Sequence, residues 1–222
     1  MNKSLKIILT GASGMVGEAV LMECLQNNEV ERVLVVGRRA CGIQHPKLTE
    51  ILHNNFFDLI ALENKLAGYN ACFFCLGVSS IEMKEDEYRK MTYDLTMHFA
   101  QAVLRVNDEI SFCYISGTGT DSSENSHMMW ARLKGKTEND LMKMPFKAVY
   151  NFRPGMLIPI AGQQHVLKAY KYFGWLAPVF KLFAPNKIST MQQLGKAMIN
   201  VVTKGYEKKI IEVKDIKLAA AK

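Results

Sequence analysis

Three glycines recur at intervals of three residues near the start of the chain, at Gly11, Gly14 and Gly17. They follow an apolar run and precede a helical pattern, a context that brings backbone N–H groups and a helix N-terminus to a phosphate. Gly11 permits a tight turn, Gly14 leaves room for a pyrophosphate, and Gly17 lets the helix pack closely. The alternative is an ordinary strand, loop and helix with incidental glycines. The residues of this loop predicted to bind a dinucleotide also include Ser13, Met15 and Val16.

Two arginines, Arg38 and Arg39, follow the second apolar run. In NAD sites an acid at this place holds the ribose 2′-hydroxyl, whereas a guanidinium can hold a 2′-phosphate with two hydrogen bonds. The pair therefore predicts NADP rather than NAD as the cofactor. The alternative is that both arginines are solvated loop residues, one of them stacked on the adenine.

Further candidates follow the later apolar runs. Asp58 is predicted to accept a hydrogen bond from the adenine amino group, or else to cap a short helix at residues 59–66. Leu76 is the last residue of the fourth run and Gly77 follows it, where the glycine lets the ribose and nicotinamide approach the backbone. The sixth run ends in a turn that is predicted to close the pocket, or else to be purely structural. The residues of that turn are Arg153, Pro154 and Gly155.

The elements around these residues alternate between strands and helices. Apolar runs without alternation indicate strands buried on both faces, as in parallel sheets. Strands are predicted at residues 5–10, 32–36, 47–53, 71–76, 110–115 and 148–152, and helices at 14–28, 59–66, 85–106 and 126–143. This order predicts an α/β fold, a Rossmann-like doubly wound parallel sheet. Ligands of such sheets bind at the carboxyl ends of the strands, where the candidates lie.

The pattern changes after Pro159. Residues 163–183 are rich in aromatic residues and lysine, and a helix at 189–203 and a strand at 209–213 follow. We expect residues 160–222 to form a small C-terminal helical cap on the substrate side of a single NAD(P)-binding domain spanning residues 1–222. The alternative for 163–183 is association with a membrane surface, with the aromatic and lysine side chains at the headgroup layer.

Composition narrows the class of protein. A chain of 222 residues, 49% of them hydrophobic, can bury one α/β core. No apolar run is long enough for an integral membrane segment and no signal-peptide pattern is present, so we expect a cytoplasmic location. The net charge of +7 comes without a basic stripe interleaved with aromatics, which argues against nucleic acid as a partner. Cys72 and Cys75 are predicted to lie on opposite faces of a strand as buried hydrophobic side chains, not as a metal site.

These motifs together resemble the atypical short-chain dehydrogenase/reductases. In chain order they are Thr-Gly-Ala-Ser-Gly-Met-Val-Gly, Gly-Arg-Arg, Cys-Leu-Gly, Ser-Gly at 116–117, Lys-Gly-Lys-Thr-Glu at 134–138 and Phe-Arg-Pro-Gly. Within the family the chain is most similar to the Tat-interacting-protein-like oxidoreductases and to small bacterial nucleoside-diphosphate-sugar epimerase-like proteins. The resemblance covers roughly residues 5–160.

The resemblance implies a catalytic serine, tyrosine and lysine. Ser116 matches the serine that polarises the substrate oxygen, and Lys134 matches the lysine, which also holds the nicotinamide ribose. The tyrosine position is Trp130, whose indole N–H donates a hydrogen bond but cannot usefully exchange a proton. His127, predicted one helical turn earlier, is a candidate surrogate acid, with a partly exposed residue near the helix start as the alternative. Tyr93 is a more distant candidate.

Two functions follow from the resemblance. The first is an NADP-dependent oxidoreductase, or an epimerase-like enzyme, acting on a carbonyl or hydroxyl group of a small molecule that the sequence does not identify. The second is a non-catalytic NADP-binding protein with a regulatory or redox-sensing role, because Trp130 replaces the tyrosine. The family also implies that a homodimer, where one forms, uses the helices at 85–106 and 126–143.

Overall fold

The computed structural model describes residues 4–166 and 187–222. Its strands are β1 (Leu5–Thr10), β2 (Val30–Gly37), β3 (Leu48–Leu52), β4 (Ala71–Phe74), β5 (Ser111–Ile115), β6 (Ala148–Arg153), β7 (Met156–Ile158), β8 (Ile188–Thr190) and β9 (Ile210–Glu212). Seven of them form a parallel sheet in the order β3-β2-β1-β4-β5-β6-β9, and β7 and β8 form a separate parallel pair. The predicted Rossmann-like α/β fold is confirmed.

Helices cover both faces of this sheet. They are α1 (Met15–Gln26), α2 (Glu63–Leu66) after a 3₁₀ turn at Ile60–Leu62, α3 (Glu85–Arg89), α4 (Leu95–Arg105), α5 (Met129–Lys143), α6 (Met191–Thr203) and α7 (Val213–Ala220). Successive residues of β1 point to opposite faces, so Ile7 joins the core beneath α1, α6 and α7, whereas Ile8 joins the core beneath α4 and α5. Among the described residues, we find no helix with the length and apolar character needed to cross a bilayer.

The crevice of the sheet lies at the carboxyl end of β1. Strand β1 pairs with β2 on one side and with β4 on the other. The chain runs outward from β1 to β3 in one direction and from β4 to β6 in the other. The connections that follow β1 and β4 therefore turn away from each other and leave a crevice beyond the carboxyl ends of these two paired strands. The amide of Leu76 donates to Thr10 Oγ1 at 3.3 Å and ties the ends of these two strands together.

Two helices differ from the prediction in ways that affect the site. The helix predicted at 126–143 begins at Met129, with Met128 as its N-cap, so His127 precedes it. The helix predicted at 85–106 contains a π-helical turn at Lys90–Asp94 between α3 and α4. Turns of this kind insert a residue without breaking the helix and are not visible in hydrophobic periodicity.

The C-terminal region extends the sheet. Strand β9 pairs with β6 at the sheet edge, α6 packs against α1 and α7, and α7 was not predicted. Residues 191–222 therefore belong to the sheet edge and one helix layer, because their apolar faces join the core beneath α1. The cap on the substrate side stays a prediction. The aromatic and lysine residues of the predicted cap or membrane-surface segment fall at 168–183, outside the described residues. Cys72 and Cys75 pack on opposite faces of the sheet, as predicted.

Candidate functional site

The glycine loop packs tightly against β4. Gly11 has φ of +77°, and a Cβ there would lie 2.7 Å from the backbone carbonyl of Cys75. A Cβ on Gly17 would lie 2.1 Å from the Gly11 carbonyl oxygen. Glycine is thus required at both positions by the protein itself, at Gly11 for the turn and at Gly17 for the approach of α1 to the loop. Burial of the Cys75 thiol raises its pKa to about 12, so it is held as a neutral apolar group here.

Gly14 and Gly77 differ from the other two glycines. A Cβ on Gly14 would meet only the Gly11 carbonyl oxygen, at 3.4 Å, and a Cβ on Gly77 would meet no described atom within 4 Å. Gly14 is the N-cap of α1 and, being a glycine, supplies no side chain to cap the first N–H groups of the helix. The described protein atoms therefore leave open space beside N–H groups at a helix N-terminus, a geometry that suits an anion such as pyrophosphate.

A small pocket lies beyond the end of β2. Its volume is about 160 Å³. Within the described ranges the Arg38 and Arg39 guanidinium groups are exposed and make no hydrogen bond or ion pair. The lining comes from the loops after β2, β3 and β4 and from the π-helical turn and α4, through Arg38, Asn54, Asn55, Phe56, Phe57, Leu76, Met91 and Leu95. This is a mixed polar and aromatic pocket with a cation at its rim.

Asp58 lies outside that lining. Its side chain is exposed, its N–H donates to the Asn55 carbonyl at 3.0 Å, and its carbonyl lies 2.6 Å from His53 Nε2. The following 3₁₀ turn has Leu59 as its N-cap without a side-chain cap, so the alternative of a helix cap is wrong. The contact of Asp58 with adenine stays a prediction. Asn54 and Asn55 are polar residues at this pocket that the sequence analysis passed over, although Asn-Asn after a strand is a common loop signal.

Ser116 does not present its hydroxyl at the surface. The residue is 3% exposed, and its Oγ donates to Glu138, which is fully buried. Glu138 also accepts from Arg153, through Nε at 3.0 Å and through Nη2. The buried carboxylate of Glu138 thus accepts hydrogen bonds from both a hydroxyl and a guanidinium. These bonds offset the free-energy cost of burying its negative charge.

The turn after β6 is held by contacts with other parts of the protein. Arg153 donates to Ser122 Oγ at 2.6 Å as well as to Glu138, and Thr118 N donates to the Pro154 carbonyl at 2.9 Å. A Cβ on Gly155 would lie 2.2 Å from the Lys187 carbonyl oxygen. These contacts favour the structural-turn alternative over the predicted contact of Arg153 with a cofactor, because the guanidinium pairs inside the protein with Glu138.

Lys134 lies one helical turn before Glu138. Its Nζ donates to the Ser116 carbonyl oxygen. Burial lowers the pKa of Lys134, and the negative charge of Glu138 opposes that fall. Ser116 and Lys134 are therefore brought together as the sequence predicts, but the contact uses the serine backbone and not its hydroxyl.

Trp130 covers a glycine turn beside this pair. Its ring is half-buried, and a Cβ on Gly119 would lie 3.0 Å from its Cη2 atom. The prediction that His127 lies one helical turn before Trp130 is wrong, because His127 is exposed in the loop before α5. Tyr93 is also remote, since its hydroxyl donates to Asp140 at 2.8 Å between the π-helical turn and α5. Neither His127 nor Tyr93 is therefore placed to replace the missing tyrosine.

The sequence analysis missed two buried carboxylates of this region, Glu138 and Glu18. Glu138 stands in the Lys-Gly-Lys-Thr-Glu motif, and Glu18 follows Gly17 directly. Both lie on helix faces that turn out to be buried, with exposures of 0% and 2%. An acidic residue on an otherwise apolar helical face is the signal that could have identified them.

The fold and the loop define the class of the protein. A parallel sheet in this strand order with a glycine-rich loop at its crevice is a Rossmann-type nucleotide-binding architecture. Sequence relatives narrow the class: the chain is 26% identical to HTATIP2 of Rattus norvegicus over 159 residues, 71% of this chain and 64% of that protein. It is also 26% identical to the mitochondrial protein fmp52 of Emericella nidulans over 206 residues, 87% of this chain and 85% of that protein. These relatives and the fold support an atypical NAD(P)-binding short-chain dehydrogenase/reductase.

Solved structures share the fold at low sequence identity. A short chain dehydrogenase family protein from Francisella tularensis superimposes with a TM-score of 0.67 at 15% identity, covering 91% of this chain and 93% of that chain. DesIV, a dTDP-glucose 4,6-dehydratase from Streptomyces venezuelae solved with NAD and TYD bound, gives 0.67 at 14% identity, covering 94% and 76%. No family model matches the sequence.

The relatives overturn one expectation. The Fmp52 proteins are described as mitochondrial, which conflicts with the predicted cytoplasmic location. That prediction was a default drawn from the lack of a secretory pattern, and such a pattern reports on one export route only.

Proposed function

We propose that this protein binds NADP at the crevice between β1 and β4. The observation that carries the proposal is the open space at Gly14 and Gly77 beside a helix N-terminus with no side-chain cap. A protein-only role explains Gly11 and Gly17 but leaves those two glycines without a packing reason. A pyrophosphate at Gly14 and a ribose at Gly77 account for both. The NAD bound to DesIV, a protein of the same fold, is consistent with a dinucleotide here.

The preference for NADP rests on charge at the end of β2. Arg38 is at the rim of the 160 Å³ pocket, and Arg39 follows it, with neither guanidinium bound to another described residue. A 2′-phosphate carries about two negative charges and takes bidentate hydrogen bonds from arginine. An adenine in the pocket brings that phosphate to the arginines, whereas NAD offers them only a hydroxyl.

The chemistry of the site favours binding without a serine–tyrosine–lysine relay. NADP, when bound, accepts a hydride and NADPH supplies one. In this proposal Lys134 orients the ribose. The Ser116 hydroxyl donates to Glu138, and the indole N–H of Trp130 cannot usefully exchange its proton. We therefore favour a regulatory or redox-sensing NADP-binding protein over an oxidoreductase that uses this relay.

An NADP-dependent oxidoreductase or epimerase-like enzyme is the second candidate. The observation that favours it is Lys134, a half-buried ammonium beside the carboxyl end of β5, the position that matches the family's lysine. Such an enzyme requires a proton donor supplied by its substrate, by water or by residues outside the described ranges.

The single-domain organisation and the homodimer through α3–α4 and α5 also remain predictions.

Fluorescence titration with NADPH and NADH tests the proposed function. We expect NADPH to bind more tightly than NADH, and Arg38→Ala and Arg39→Ala to remove most of that preference. Arg105→Ala is the matched control, because Arg105 is an exposed arginine that pairs with Glu63 at the far end of α4. Equal affinity for both nucleotides in the wild type would refute the NADP preference, and no binding of either would refute the cofactor site. Oxidation of NADPH across a panel of carbonyl compounds would favour the second candidate.

A further inference from the structure

Glu18 makes a long-range contact from α1, the helix whose N-terminus is proposed to bind the pyrophosphate. It is 2% exposed in the first turn of α1, one residue after Gly17. Its Oε1 accepts from the amide of Gln164 at 2.6 Å, and its Oε2 accepts from the amide of His165 at 2.7 Å. The carboxylate thus binds two consecutive backbone N–H groups from a segment almost 150 residues away in sequence.

The same segment makes a second contact with α1. The Gln163 side chain donates through Nε2 to the Met15 carbonyl oxygen, and its Oε1 accepts from the Ile160 amide at 3.4 Å. Gly162, with φ of +84°, provides the turn between them. We call residues 160–165 the docking segment. It rests on the first turn of α1, directly beside the loop that the proposed function assigns to pyrophosphate.

The charge of Glu18 has two opposite consequences. When the docking segment is in place, two charge-assisted hydrogen bonds from backbone amides stabilise and partly shield the negative charge of the carboxylate. When the segment leaves, Glu18 is a bare negative charge one helical turn from the predicted phosphate position, and like charges at that distance repel. A pyrophosphate at the glycine loop therefore favours the docked segment, and by linkage the docked segment favours the pyrophosphate.

We propose that Glu18 is a positioning residue that couples docking of residues 160–165 to occupancy of the glycine loop. This inference rests on the proposed function for its ligand, NADP. It goes beyond that function because it assigns a role to a buried carboxylate outside the loop, the arginines and the serine–lysine pair. The segment leads from β7, which follows the strand that carries Arg153, so the coupling connects the cofactor side of the crevice with the region after β6.

Hydrogen–deuterium exchange at the Gln164 and His165 amides measures docking without any ligand. We expect Glu18→Gln to speed this exchange roughly ten-fold in the ligand-free protein, because the charge-assisted bonds are lost. Glu23→Gln is the matched control, a buried glutamate on the same helix that packs against Gly195 instead. Equal exchange in the wild type and Glu18→Gln would overturn the positioning role. Melting temperatures of the three proteins identify any variant that fails to fold.

NADPH titration then measures the coupling and its sign. In the wild type, NADPH should slow exchange at the two amides further, and in Glu18→Gln it should not. Gln163→Ala weakens docking but keeps the charge of Glu18, so we expect it to bind NADPH roughly five-fold more weakly. The double variant Glu18→Gln/Gln163→Ala should recover wild-type affinity, because the repelling charge is gone. If Gln163→Ala binds as the wild type does, or if the double variant binds more weakly still, the coupling is refuted.

The two proposals fail in different ways. If the wild type does not bind NADPH, the proposed function and the coupling to NADP are both overturned. The ligand-free exchange then decides separately whether Glu18 holds the docking segment. If NADPH binds but leaves the exchange of Gln164 and His165 unchanged, the cofactor site stands and the coupling is overturned.

Discussion

The Ser116 hydroxyl donates to the buried Glu138 carboxylate, and both belong to motifs that the sequence assigns to catalysis. Glu138 in turn pairs with Arg153 at the end of β6. Ser116 is therefore part of a polar interior that joins α5 to the ends of β5 and β6. A serine so placed contributes first to the stability of the protein and to the position of the loop that follows it.

The stability of variants tests this arrangement. We expect Ser116→Ala to lower the free energy of unfolding by about 2 kcal/mol, the range for a hydrogen bond to a charged group. Glu138→Gln should cost more, about 3 kcal/mol, because it leaves the buried Arg153 guanidinium with only the half-exposed carboxylate of Glu212, at 3.3 Å, as a counter-charge. Urea unfolding measures both, with Ser80→Ala as the control, since the Ser80 side chain makes no hydrogen bond within the described ranges. A Ser116→Ala variant of unchanged stability that loses turnover would instead assign the serine to catalysis.

Alanine substitutions at two glycines of the loop are predicted to have different effects, one on stability and the other on NADPH binding. Gly17→Ala places a Cβ 2.1 Å from a carbonyl oxygen and should destabilise the protein by several kcal/mol. Gly14→Ala places its Cβ at 3.4 Å, an ordinary contact, and should change the free energy of unfolding by no more than about 0.5 kcal/mol. Gly14→Ala should nevertheless weaken NADPH binding by about ten-fold or more, because the methyl group fills the space for the phosphate. Unchanged NADPH affinity in Gly14→Ala would exclude a phosphate at this position.

Trp130→Tyr tests whether the lost proton donor is what prevents turnover. A phenol near the Lys134 ammonium can release a proton, and general acid catalysis typically contributes about 10²–10⁴-fold. We expect the variant to oxidise NADPH faster than the wild type with at least one compound of a carbonyl panel, and Trp130→Phe, which offers no proton, to behave as the wild type does. Turnover in the wild type that Trp130→Tyr reduces would contradict the non-catalytic proposal.

Asp140 gives a prediction for pH. Partial burial raises the pKa of this carboxyl, but hydrogen bonds from Lys143, Lys136 and Tyr93 outweigh it and lower the pKa from 3.8 to about 2. A lowered pKa in the folded protein means that the contribution to stability is complete above the unfolded value and is lost as the pH falls through the folded value. The difference in unfolding free energy between the wild type and Asp140→Asn should therefore be constant above about pH 5 and shrink between about pH 4 and pH 2.

Urea unfolding at a series of pH values measures that difference. Asp108→Asn is the control, because Asp108 is exposed and makes no ion pair in the described part of the chain. The gap between wild type and Asp140→Asn at neutral pH should be about 1 kcal/mol. A gap that grows on acidification would have the wrong sign for a carboxylate held in its charged form.

Local patterns in the sequence were enough to predict the strands of the sheet and the glycine loop. Strands buried on both faces have continuous apolar runs, and the turn after β1 requires glycine at Gly11 for its own backbone. Both features depend on residues close together in the chain, so periodicity and turn chemistry identify them. The short pair β7–β8 has no such pattern, since its two strands of three residues are separated by almost thirty positions.

The sequence by itself thus determined the α/β class, the alternation of strands and helices up to β6, the loop that suits a phosphate and the loss of the tyrosine at Trp130. Only the tertiary structure decided which way the polar side chains point. Ser116 meets Glu138 and Glu18 meets Gln164 across 22 and 146 positions in the chain, and His127 proves to lie before its helix. The physical reason is that a buried charged group must be hydrogen-bonded, and its donors are those that the packed chain brings within reach. Contacts between distant segments determine these donors, and the neighbouring residues in the sequence do not.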